Sequence, residues 1–454
     1  MSCIGNKKTY IIGLDLGTSA IKGIAMAENG EILAEAKKDT RFIHRLKGWV
    51  EVDPHEHYMN LCSIVRELAD AIPGPVCAIS MAAASGNTLL ADKNGRPLTN
   101  IINWMDQRVE LNKLEKLKRF TVEEVREISG WPCVNTFPIA HFAWFAENHA
   151  DLYGIADRYC MNTDWVLFKL TGKWVMDYST ATTFHLQEQT VHTYYGPFLE
   201  RLNIPVEKLS KLMPMGRSIG YLTKQAMQDT GLSQDTQVVT GSFDHPSAAR
   251  GVGVLEPGQL LLSCGTSWVG FFPEHDRQKI IRAELLCDPF LSATNGSWGA
   301  FFGIPYIGRN IDWYIDNLIA PGDDDKYSVF NSLAAEAPAG ANGLVINLSE
   351  PPRVINAEKR NICRAIMENA ARLLKERLDQ LQRQGMRFAD AIIVGGPSKS
   401  SLWPDIIEDI SGLKLKIGSV YSGAKGAAIL AGIGVGLYRD EYDGYDKTRG
   451  AHED

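Results

Sequence analysis

The triplet Gly-Thr-Ser occurs twice in the chain, each time between two apolar stretches. Residues 14–19 read Leu-Asp-Leu-Gly-Thr-Ser and residues 262–267 read Leu-Ser-Cys-Gly-Thr-Ser, about half of the 454-residue chain apart. Internal self-similarity of this kind can decide a whole fold. The repeat predicts two similar domains, each with a β-hairpin whose turn is Gly-Thr-Ser. A match this short can also arise by coincidence, so other features have to support it.

Such a turn is suited to binding an anion. Glycine permits close approach, and successive backbone N–H groups together with hydroxyl groups can point at one anionic group. Two such turns from two domains would hold a polyphosphate from both sides. The chain contains no G-x-x-x-x-G-K-[ST] phosphate loop and no strand-G-x-G-x-x-G-helix unit with a following acid. A phosphate-loop fold is therefore excluded, and a dinucleotide-binding fold is disfavoured.

The apolar periodicity predicts an α/β chain that begins β-β-β-α-β. Asp53 and Pro54 provide start signals for the first long helix, and Gly385 provides a stop signal for the last long one. The predicted strands and hairpins are 9–36, 37–48 (with a loop), 76–84, 235–240, 258–272 and 390–396. The predicted helices are 53–72, 106–128, 138–150, 162–170, 356–385 and 423–438.

Composition excludes several classes of protein. The net charge of −7 disfavours nucleic acid and anionic membranes as partners. The eight cysteines are scattered without a C-x-x-C pair, which disfavours a zinc or redox site and suits free thiols in a reducing cytosol. No secretory signal and no stretch of 18 uninterrupted apolar residues is present, so a cytoplasmic location is expected.

Two aspartates follow apolar strands and are candidates for chemistry. Asp15 precedes the first Gly-Thr-Ser turn, where a carboxylate beside phosphates requires a cation such as Mg²⁺; the alternative is a turn aspartate that bonds its own backbone. Asp244 precedes Pro246 and a small-residue helix start, which suits a helix N-cap. It also suits a general base that takes a proton from a substrate hydroxyl, and a helix N-terminus would stabilise its ionised form.

Seven stretches, in order along nearly the whole chain, resemble the FGGY carbohydrate kinases of the actin/sugar-kinase/heat-shock ATPase superfamily. They are GLDLGTSAIK (13–22), WMDQR (104–108), TDWVLFKLTGKW (163–174), GSFDHPSAARGVG (241–253), SCGTSW (263–268), GGPSKSSLWPDIIEDISG (395–412) and GAAILAGIGVGLY (426–438). The resemblance implies two actin-like (ribonuclease H-like) domains, each a mixed five-stranded sheet flanked by helices, with an active-site cleft between them. It implies a sugar-binding domain at 1–254, an ATP-binding domain at 255–440 and a polar tail at 441–454.

The resemblance also assigns roles to residues for an ATP- and Mg²⁺-dependent phosphoryl transfer. Asp244 matches the catalytic base, which also contacts the substrate, and Asp15 matches the metal-associated aspartate. The nucleotide-contacting positions are Thr18, Ser19, Lys22, Gly265, Thr266, Gly308, Asp312, Gly396 and Ser400. The remaining substrate positions are Ser85, Gly86, Trp104 and Asp106. A packing role is the alternative for Trp104, and it is favoured for His245.

The substrate is expected to be a ketopentose or ketohexose, as in the xylulokinase-like branch. Ala84-Ser85-Gly86 stands where glycerol kinases have Arg-Glu and many ketose kinases have Met-His-Gly, and the missing Arg-Glu pair disfavours glycerol. The segment 343–361 is shorter than is usual in the family, so a substrate-side loop is reduced. A polyol or a sugar analogue such as a quorum-sensing molecule is the alternative substrate. A non-sugar ATPase or a sugar sensor on the same scaffold is the alternative function. The sequence does not determine the oligomeric state, and a homodimer is left open.

Overall fold

The structure, a computed structural model, describes residues 9–84, 86–132 and 136–450. The chain forms two compact units. Unit 1 comprises Met1–Leu255, Leu286–Gly299 and Tyr421–Asp454, whereas unit 2 comprises Glu256–Leu285 and Ala300–Val420. The chain thus leaves unit 1 twice and rejoins it twice. A division of the sequence into an N-terminal and a C-terminal half does not anticipate this path.

The strands of the described residues are numbered in chain order. They are β1 (Tyr10–Leu16), β2 (Ala20–Ala27), β3 (Ile32–Asp39), β4 (Glu51–Val52), β5 (Val76–Ala83), β6 (Thr88–Ala91), β7 (Ile101–Ile102), β8 (Arg158–Met161), β9 (Val175–Asp177), β10 (Gln187–Glu188), β11 (Thr193–Tyr194), β12 (Lys211–Met213), β13 (Ser218–Tyr221), β14 (Gln237–Val239), β15 (Ser242–Phe243), β16 (Gln259–Cys264), β17 (Trp268–Glu274), β18 (Leu286–Asp288), β19 (Trp298–Ile304), β20 (Asp390–Gly395) and β21 (Lys414–Ile417).

The α-helices are numbered in the same way. They are α1 (Pro54–Asp70), α2 (Val122–Ser129), α3 (Pro138–Asn148), α4 (Ala150–Ile155), α5 (Asn162–Thr171), α6 (Tyr178–Thr182), α7 (Gly196–Leu202), α8 (Lys224–Thr230), α9 (Asp244–Val252), α10 (Arg277–Arg282), α11 (Ile307–Tyr314), α12 (Lys326–Glu336), α13 (Lys359–Arg383), α14 (Leu402–Ser411), α15 (Ser422–Gly434) and α16 (Glu441–Thr448). None of these helices is long and apolar enough to cross a membrane.

The main sheet of unit 1 has the order β13-β14-β5-β1-β2-β3. Strands β1, β2 and β3 form an antiparallel meander, whereas β5 runs parallel to β1, and β14 and β15 run parallel to β5. Helix α1 connects the meander to β5, and its start is set by Asp53, whose side chain accepts from the N–H groups of His55 and Glu56. The predicted β-β-β-α-β order is therefore confirmed for this unit.

Unit 1 carries additional elements, most of them inserted between β5 and β14 and one, β4, placed before α1. Strands β4, β7, β6 and β8 form a separate sheet, in that order. Its apolar side chains join a second core of aromatic and aliphatic residues, among them Phe142, Phe184 and Phe198, all fully buried. This insertion carries the WMDQR stretch and so positions Trp104.

The sheet of unit 2 repeats the topology of unit 1. Its strands run in the order β19-β17-β16-β20-β21; β16 pairs antiparallel with β17 and parallel with β20, and β20 pairs parallel with β21. The long helix α13 packs against α12 and α14. The residues that repeat in sequence therefore lie at equivalent places, because each Gly-Thr-Ser turn joins the first two strands of its sheet.

Helix α15 belongs to unit 1, where it packs directly against β1 and α9. Small residues permit this contact. A Cβ atom placed on Gly13 of β1 would lie 1.9 Å from the carbonyl oxygen of Ala424, and one placed on Gly426 would lie 1.8 Å from that of Ser247. The small-residue helix predicted over 423–438 is thus a helix that contacts a strand and another helix through backbone atoms.

Two expected segments differ from the structure. The predicted helix at 106–128 is a loop with two short 3₁₀ turns, followed by α2, because Asp106 accepts a hydrogen bond from the N–H of Arg108 and this local bond competes with a helix. The predicted tail at 441–454 contains α16, which Asp440 caps through the N–H of Asp443 and which packs against α15 and α9.

Candidate active site

The sheet of unit 1 brings Asp15 and Asp244 to the same edge. Asp15 on β1 lies beside Ala82 on β5, and Ala82 lies beside Ser242 on β15. The three strands are parallel, so Asp244, which follows β15 directly and begins α9, lies at their carboxyl ends together with Asp15. The carboxyl ends of parallel strands are the usual ligand-binding edge of an α/β sheet.

The environment of Asp15 disfavours its charge. Burial, and then the charge of Asp244, raise the pKa of the Asp15 carboxyl from 3.8 to about 7, although Lys22, its partner across the β1–β2 pair, lowers it. Its Oδ1 is buried and accepts no hydrogen bond. Its Oδ2 lies against α15, since a Cβ atom on Gly423 would be 2.8 Å from it. Asp15 is therefore not an aspartate that bonds its own turn through Oδ1.

Asp244 is half-buried, and desolvation raises the pKa of its carboxyl, whereas His245 opposes the shift. The N–H of His245 donates to Asp244 Oδ1 at 2.7 Å, and the imidazole lies edge-on to the ring of Phe243 at 5.6 Å between centroids. The two carboxyl groups thus share one edge of the sheet, and the pKa of each is raised. Such perturbed pairs are concentrated at functional sites.

The first Gly-Thr-Ser turn is connected to the WMDQR stretch by a hydrogen bond. The indole Nε1–H of Trp104 donates to Thr18 Oγ1 at 2.8 Å, and the Trp104 side chain is otherwise partly exposed. The backbone N–H of Trp104 donates to Asn87 Oδ1 at 3.1 Å, and Asn87 Nδ2 donates to the carbonyl of Ala84 at 3.0 Å. Trp104 is therefore not a core residue. Asn87 connects the loop that carries Trp104 to the predicted substrate motif at 83–87.

Asp106 is fully buried, and both of its oxygens already accept from the protein. Oδ1 accepts from the N–H and Nε of Arg108, and Oδ2 accepts from the N–H of Val50 and a terminal nitrogen of Arg108. Arg108 also pairs with Glu51 at 2.7 Å and lies 3.8 Å from the ring centre of Trp49. This network fixes the loop that carries Trp104.

Two further predicted substrate residues lie in the motif at 83–87. Gly86 has a φ of +86°, and a Cβ atom there would lie 2.0 Å from the ring of Phe137. Only glycine fits this position without displacement. Ser85 lies outside the described residues.

Unit 2 contains a cavity of about 410 Å³ at the second Gly-Thr-Ser turn. Five of the predicted nucleotide residues line it, namely Gly265, Thr266, Gly308, Asp312 and Gly396. The rest of the lining is largely aromatic or aliphatic and includes Trp268, Ile311, Ile315, Tyr327, Phe330 and Trp403. The cavity therefore combines a phosphate-type turn with apolar walls that suit a planar base.

Helix α11 begins directly on this turn. A Cβ atom on Gly308 would lie 2.1 Å from the carbonyl oxygen of Gly265, and the N–H of Arg309 donates to the carbonyl of Thr266 at 3.2 Å. Further along α11, the hydroxyl of Tyr327 donates to Asp312 Oδ1 at 2.8 Å. Ser400 is not in the lining; its Oγ accepts from the N–H groups of Leu402 and Trp403 at the start of α14.

Several residues at these sites were not anticipated from the sequence. Tyr327, Asn331 and Trp403 line the unit 2 cavity, and the Oδ1 atom of Asn331 is buried without a hydrogen-bond partner. Gly423 contacts Asp15. The small-residue composition of 423–438 was the one available signal for Gly423, since a helix of this kind predicts close backbone contact.

Comparisons with known protein families identify the chain. The model of the FGGY family of carbohydrate kinases, N-terminal domain, matches residues 10–251, and that of the C-terminal domain matches residues 333–435. The chain belongs to the FGGY family of carbohydrate kinases. Members transfer phosphate from ATP, so this FGGY chain is an ATP-dependent kinase.

Similar proteins cover nearly the whole FGGY chain. An autoinducer-2 kinase of Klebsiella pneumoniae is 28% identical over 95% of this chain and 87% of its own length. A ligand-bound xylulose kinase and a gluconate kinase, both from Lactobacillus acidophilus, have TM-scores of 0.87 and 0.86; each is 22% identical over 97% of this chain and 92% of its own. These structures share the fold, which confirms the predicted two-domain actin-like architecture.

The unit 1 site fits the Mg²⁺ that kinases of this family generally use. The unpartnered Oδ1 of Asp15 and the raised pKa of this carboxyl both indicate that a cation would be favourable here. The described residues contain no group of three His, Cys, Asp or Glu side chains arranged to hold a metal. Mg²⁺ at nucleotide sites is usually held by one or two protein carboxylates together with phosphate and water, so a single carboxylate such as that of Asp15 would suffice as the protein ligand.

Proposed function

We propose that this FGGY kinase transfers the γ-phosphoryl group of ATP to a hydroxyl of a small sugar or sugar-like acceptor, with Asp244 as the general base. The observation that carries the proposal is the pair of half-buried aspartates, both with raised pKa values, at one edge of the unit 1 sheet. Burial raises the pKa of Asp244, which makes its carboxylate a stronger base than an exposed one.

In the proposed reaction, the acceptor oxygen attacks the γ-phosphorus and forms the new P–O bond. The bond from the γ-phosphorus to the β–γ bridging oxygen breaks, and its electron pair leaves with ADP. The proton of the acceptor hydroxyl moves to the carboxylate of Asp244. Since phosphoryl transfer depends mainly on positioning and charge neutralisation, the base is expected to supply about 10²–10⁴-fold of the rate.

The other predicted residues receive roles in nucleotide binding. The proposal assigns Gly265, Thr266, Gly308, Asp312 and Gly396 to ATP, supported by their place in the lining of the unit 2 cavity. It assigns Thr18, Ser19 and Lys22 to phosphate contacts of the other turn. Asp15 would hold Mg²⁺, which neutralises phosphate charge when bound. Ser400 is assigned an indirect role through α14, because its Oγ is engaged there.

On the acceptor side, the proposal assigns direct contacts to Trp104, Gly86 and Ser85. Trp104 is suited to contact a sugar because its ring is partly exposed while its Nε1–H is fixed on Thr18. Asp106 is assigned to hold Arg108 and the Trp104 loop instead of touching the acceptor, since four protein donors occupy its oxygens.

For the acceptor we propose a ketopentose or a ketohexose first, because the Arg-Glu pair of glycerol kinases is missing at 84–86. Autoinducer-2 is the second candidate, and the similarity to autoinducer-2 kinases over 95% of the chain favours it. A screen that couples ADP release to ketoses, polyols and autoinducer-2 tests both. Turnover restricted to a polyol would contradict both candidates.

Asp244→Asn tests the base. We expect kcat to fall about 10²–10⁴-fold while the affinities for ATP and acceptor stay within a few-fold. Asp164→Asn is the matched control, because Asp164 is a buried carboxyl of unit 1 whose pKa is likewise raised, in its case to about 7, but which accepts from Ser210 and Met161. It should lower stability and leave kcat unchanged.

The same assay separates the alternative functions. ATP hydrolysis that no acceptor stimulates would indicate an ATPase. Tight sugar binding without ADP release would indicate a sensor. Full activity of Asp244→Asn would contradict the proposed role of this residue.

A further inference from the structure

The segment Leu286–Gly299, here called the return segment, belongs to unit 1 although the chain on both sides of it belongs to unit 2. It begins with β18 and contains Asp288 and Phe290, which are both buried. Neither the chemistry proposed above nor the sequence analysis uses this segment. Its hydrogen bonds lead to the junction between β15 and α9, where Asp244 lies.

A chain of buried hydrogen bonds connects Asp288 to the residue before the base. The Ser179 hydroxyl donates to Asp288 Oδ2 at 2.8 Å, and the backbone N–H of Phe243 donates to Ser179 Oγ at 3.1 Å. Ser179 and Asp288 are both fully buried. An ionised carboxylate can only accept, so it orients the serine proton toward itself and leaves a serine lone pair for the Phe243 N–H.

The return segment also contacts the far end of α9. The N–H of Phe290 donates to Asp288 Oδ1 at 2.8 Å, and its carbonyl accepts from a terminal nitrogen of Arg250 at 2.9 Å. The guanidinium of Arg250 lies 4.5 Å from the centre of the Phe290 ring. Asp288 thus connects both ends of the helix that begins at Asp244.

A third contact fixes the Phe243 side chain. The indole Nε1–H of Trp131 donates to the carbonyl of Cys287 at 3.0 Å, and its ring lies edge-on to the ring of Phe243 at 5.7 Å. The N–H of Cys287 donates to the carbonyl of Gly130 at 3.0 Å. The backbone and the ring of Phe243 are therefore both held by groups that the return segment orients.

We infer that Asp288, through Ser179, is a positioning residue for the base Asp244. The inference rests on the proposed function, because it presupposes that Asp244 takes the proton. Asp288 and Ser179 contact neither ATP nor acceptor in this account. They fix the dihedral angles of the strand-to-helix junction, and a displacement of a base by about 1 Å can reduce a rate by about 10²-fold.

Ser179→Ala removes the central hydroxyl and tests the inference. We expect kcat to fall about tenfold or more, while the KM for acceptor and the Kd for ATP change less than about twofold. The matched control is Ser210→Ala, since Ser210 is buried in the same unit and donates to the buried Asp164 at 2.6 Å. Both variants lose a buried serine–aspartate bond, so both should melt at lower temperature, but only Ser179→Ala should lose kcat.

A double-mutant cycle distinguishes positioning from a general loss of structure. If Asp288 and Ser179 act through Asp244, Ser179→Ala has no further effect on the residual kcat of Asp244→Asn. Equal additional losses in both backgrounds, or a kcat of Ser179→Ala equal to that of Ser210→Ala, would overturn the inference and leave the proposed function standing. Full activity of Asp244→Asn would overturn the proposed function itself.

Discussion

Asp15 lies in an environment that disfavours the charge of its carboxylate. Its Oδ1 is buried without a donor, its Oδ2 faces Gly423, and its pKa is raised to about 7 by burial and by Asp244. We therefore expect this carboxyl to be protonated in a large fraction of molecules of the free protein at neutral pH. Any cation that binds there competes with a proton, so nucleotide binding and protonation are linked.

The affinity for Mg·ATP should consequently depend on pH around 7. Below pH 7 Asp15 must release a proton when the metal binds. We therefore expect the Kd to rise by up to about tenfold for each unit by which the pH falls, and to be constant above about pH 8. Calorimetry between pH 5.5 and 8.5, in buffers of different ionisation enthalpy, measures the affinity and the released proton. A Kd that is constant over this range would contradict the role given to Asp15.

Asp15→Asn should abolish this pH dependence and stabilise the free protein. A carboxyl with a raised pKa in the folded state favours folding in its protonated form, so its ionisation lowers stability as pH rises from about 4 through about 7. Above pH 7 the ionisation of Asp15 lowers the free energy of unfolding by at most roughly 4 kcal/mol. Melting temperatures should show a gain for Asp15→Asn that is larger at pH 8 than at pH 5.

Asp106→Asn is the control for this measurement. Asp106 is more completely buried than Asp15, but four protein donors satisfy it, so the substitution should lower the melting temperature at both pH values. If Asp106→Asn raised the melting temperature by the same amount, the gain of Asp15→Asn would come from the removal of a buried charge in general and not from the particular environment of Asp15.

At the scale of elements, α15 determines where α9 lies. Ser247 of α9 donates its hydroxyl to the carbonyl of Gly423, and its own carbonyl lies against Gly426. The contact is between backbones, so neither helix can accept a larger residue there without moving. Because Asp244 begins α9, the position of the proposed base depends on a helix almost 200 residues away in sequence.

Gly426→Ala should therefore reduce both stability and activity. The new Cβ would lie 1.8 Å from the Ser247 carbonyl, and overpacking of this kind destabilises by about 1–3 kcal/mol. We expect kcat to fall with it, since α9 is displaced. Gly154→Ala on α4 is the matched control, because nothing lies within 4 Å of a Cβ there; it should be neutral or stabilising by up to about 1 kcal/mol. Denaturant unfolding and steady-state kinetics measure both effects, and equal behaviour of the two variants would contradict the argument.

At the scale of the molecule, the features that the sequence predicts correctly are those that local patterns determine. The features that it misses depend on contacts between residues far apart in the chain. The repeated turns, the hairpins around them, α1 with its Asp53 cap and the buried β5 follow from periodicity and local chemistry. The prediction of a helix at 106–128 is wrong, because the buried side chains of this stretch extend from a loop whose conformation depends on the Asp106–Arg108 network. These side chains are Val109, Leu114, Leu117 and Phe120. The Trp104–Thr18 bond and the return of 286–299 and 421–454 to unit 1 join distant residues, and single-sequence patterns carry no record of such pairs.

The division into units predicts how truncations behave. Removal of residues from 421 onward deletes α15 and should expose Ile11, Ile24, Ala78 and Val239 of the unit 1 sheet. We expect dye-binding aggregates and no cooperative melting transition. Removal from Arg439 onward retains α15 and loses α16 with the Arg250–Glu441 ion pair, so a folded chain with a lower melting temperature is expected. Similar melting curves for both truncations would contradict the assignment of α15 to the core of unit 1.

The late position of α15 in the sequence has a consequence for biosynthesis. When a ribosome has made the first 255 residues, nearly all of the main sheet of unit 1 exists, but the helix that covers one of its apolar faces has not yet been translated. Translation proceeds at about 5–20 residues per second, so this face stays uncovered for on the order of ten seconds or more before α15 is synthesised. The first domain to emerge is therefore the last to be completed, and in the interval its nascent chain is a natural client for chaperones.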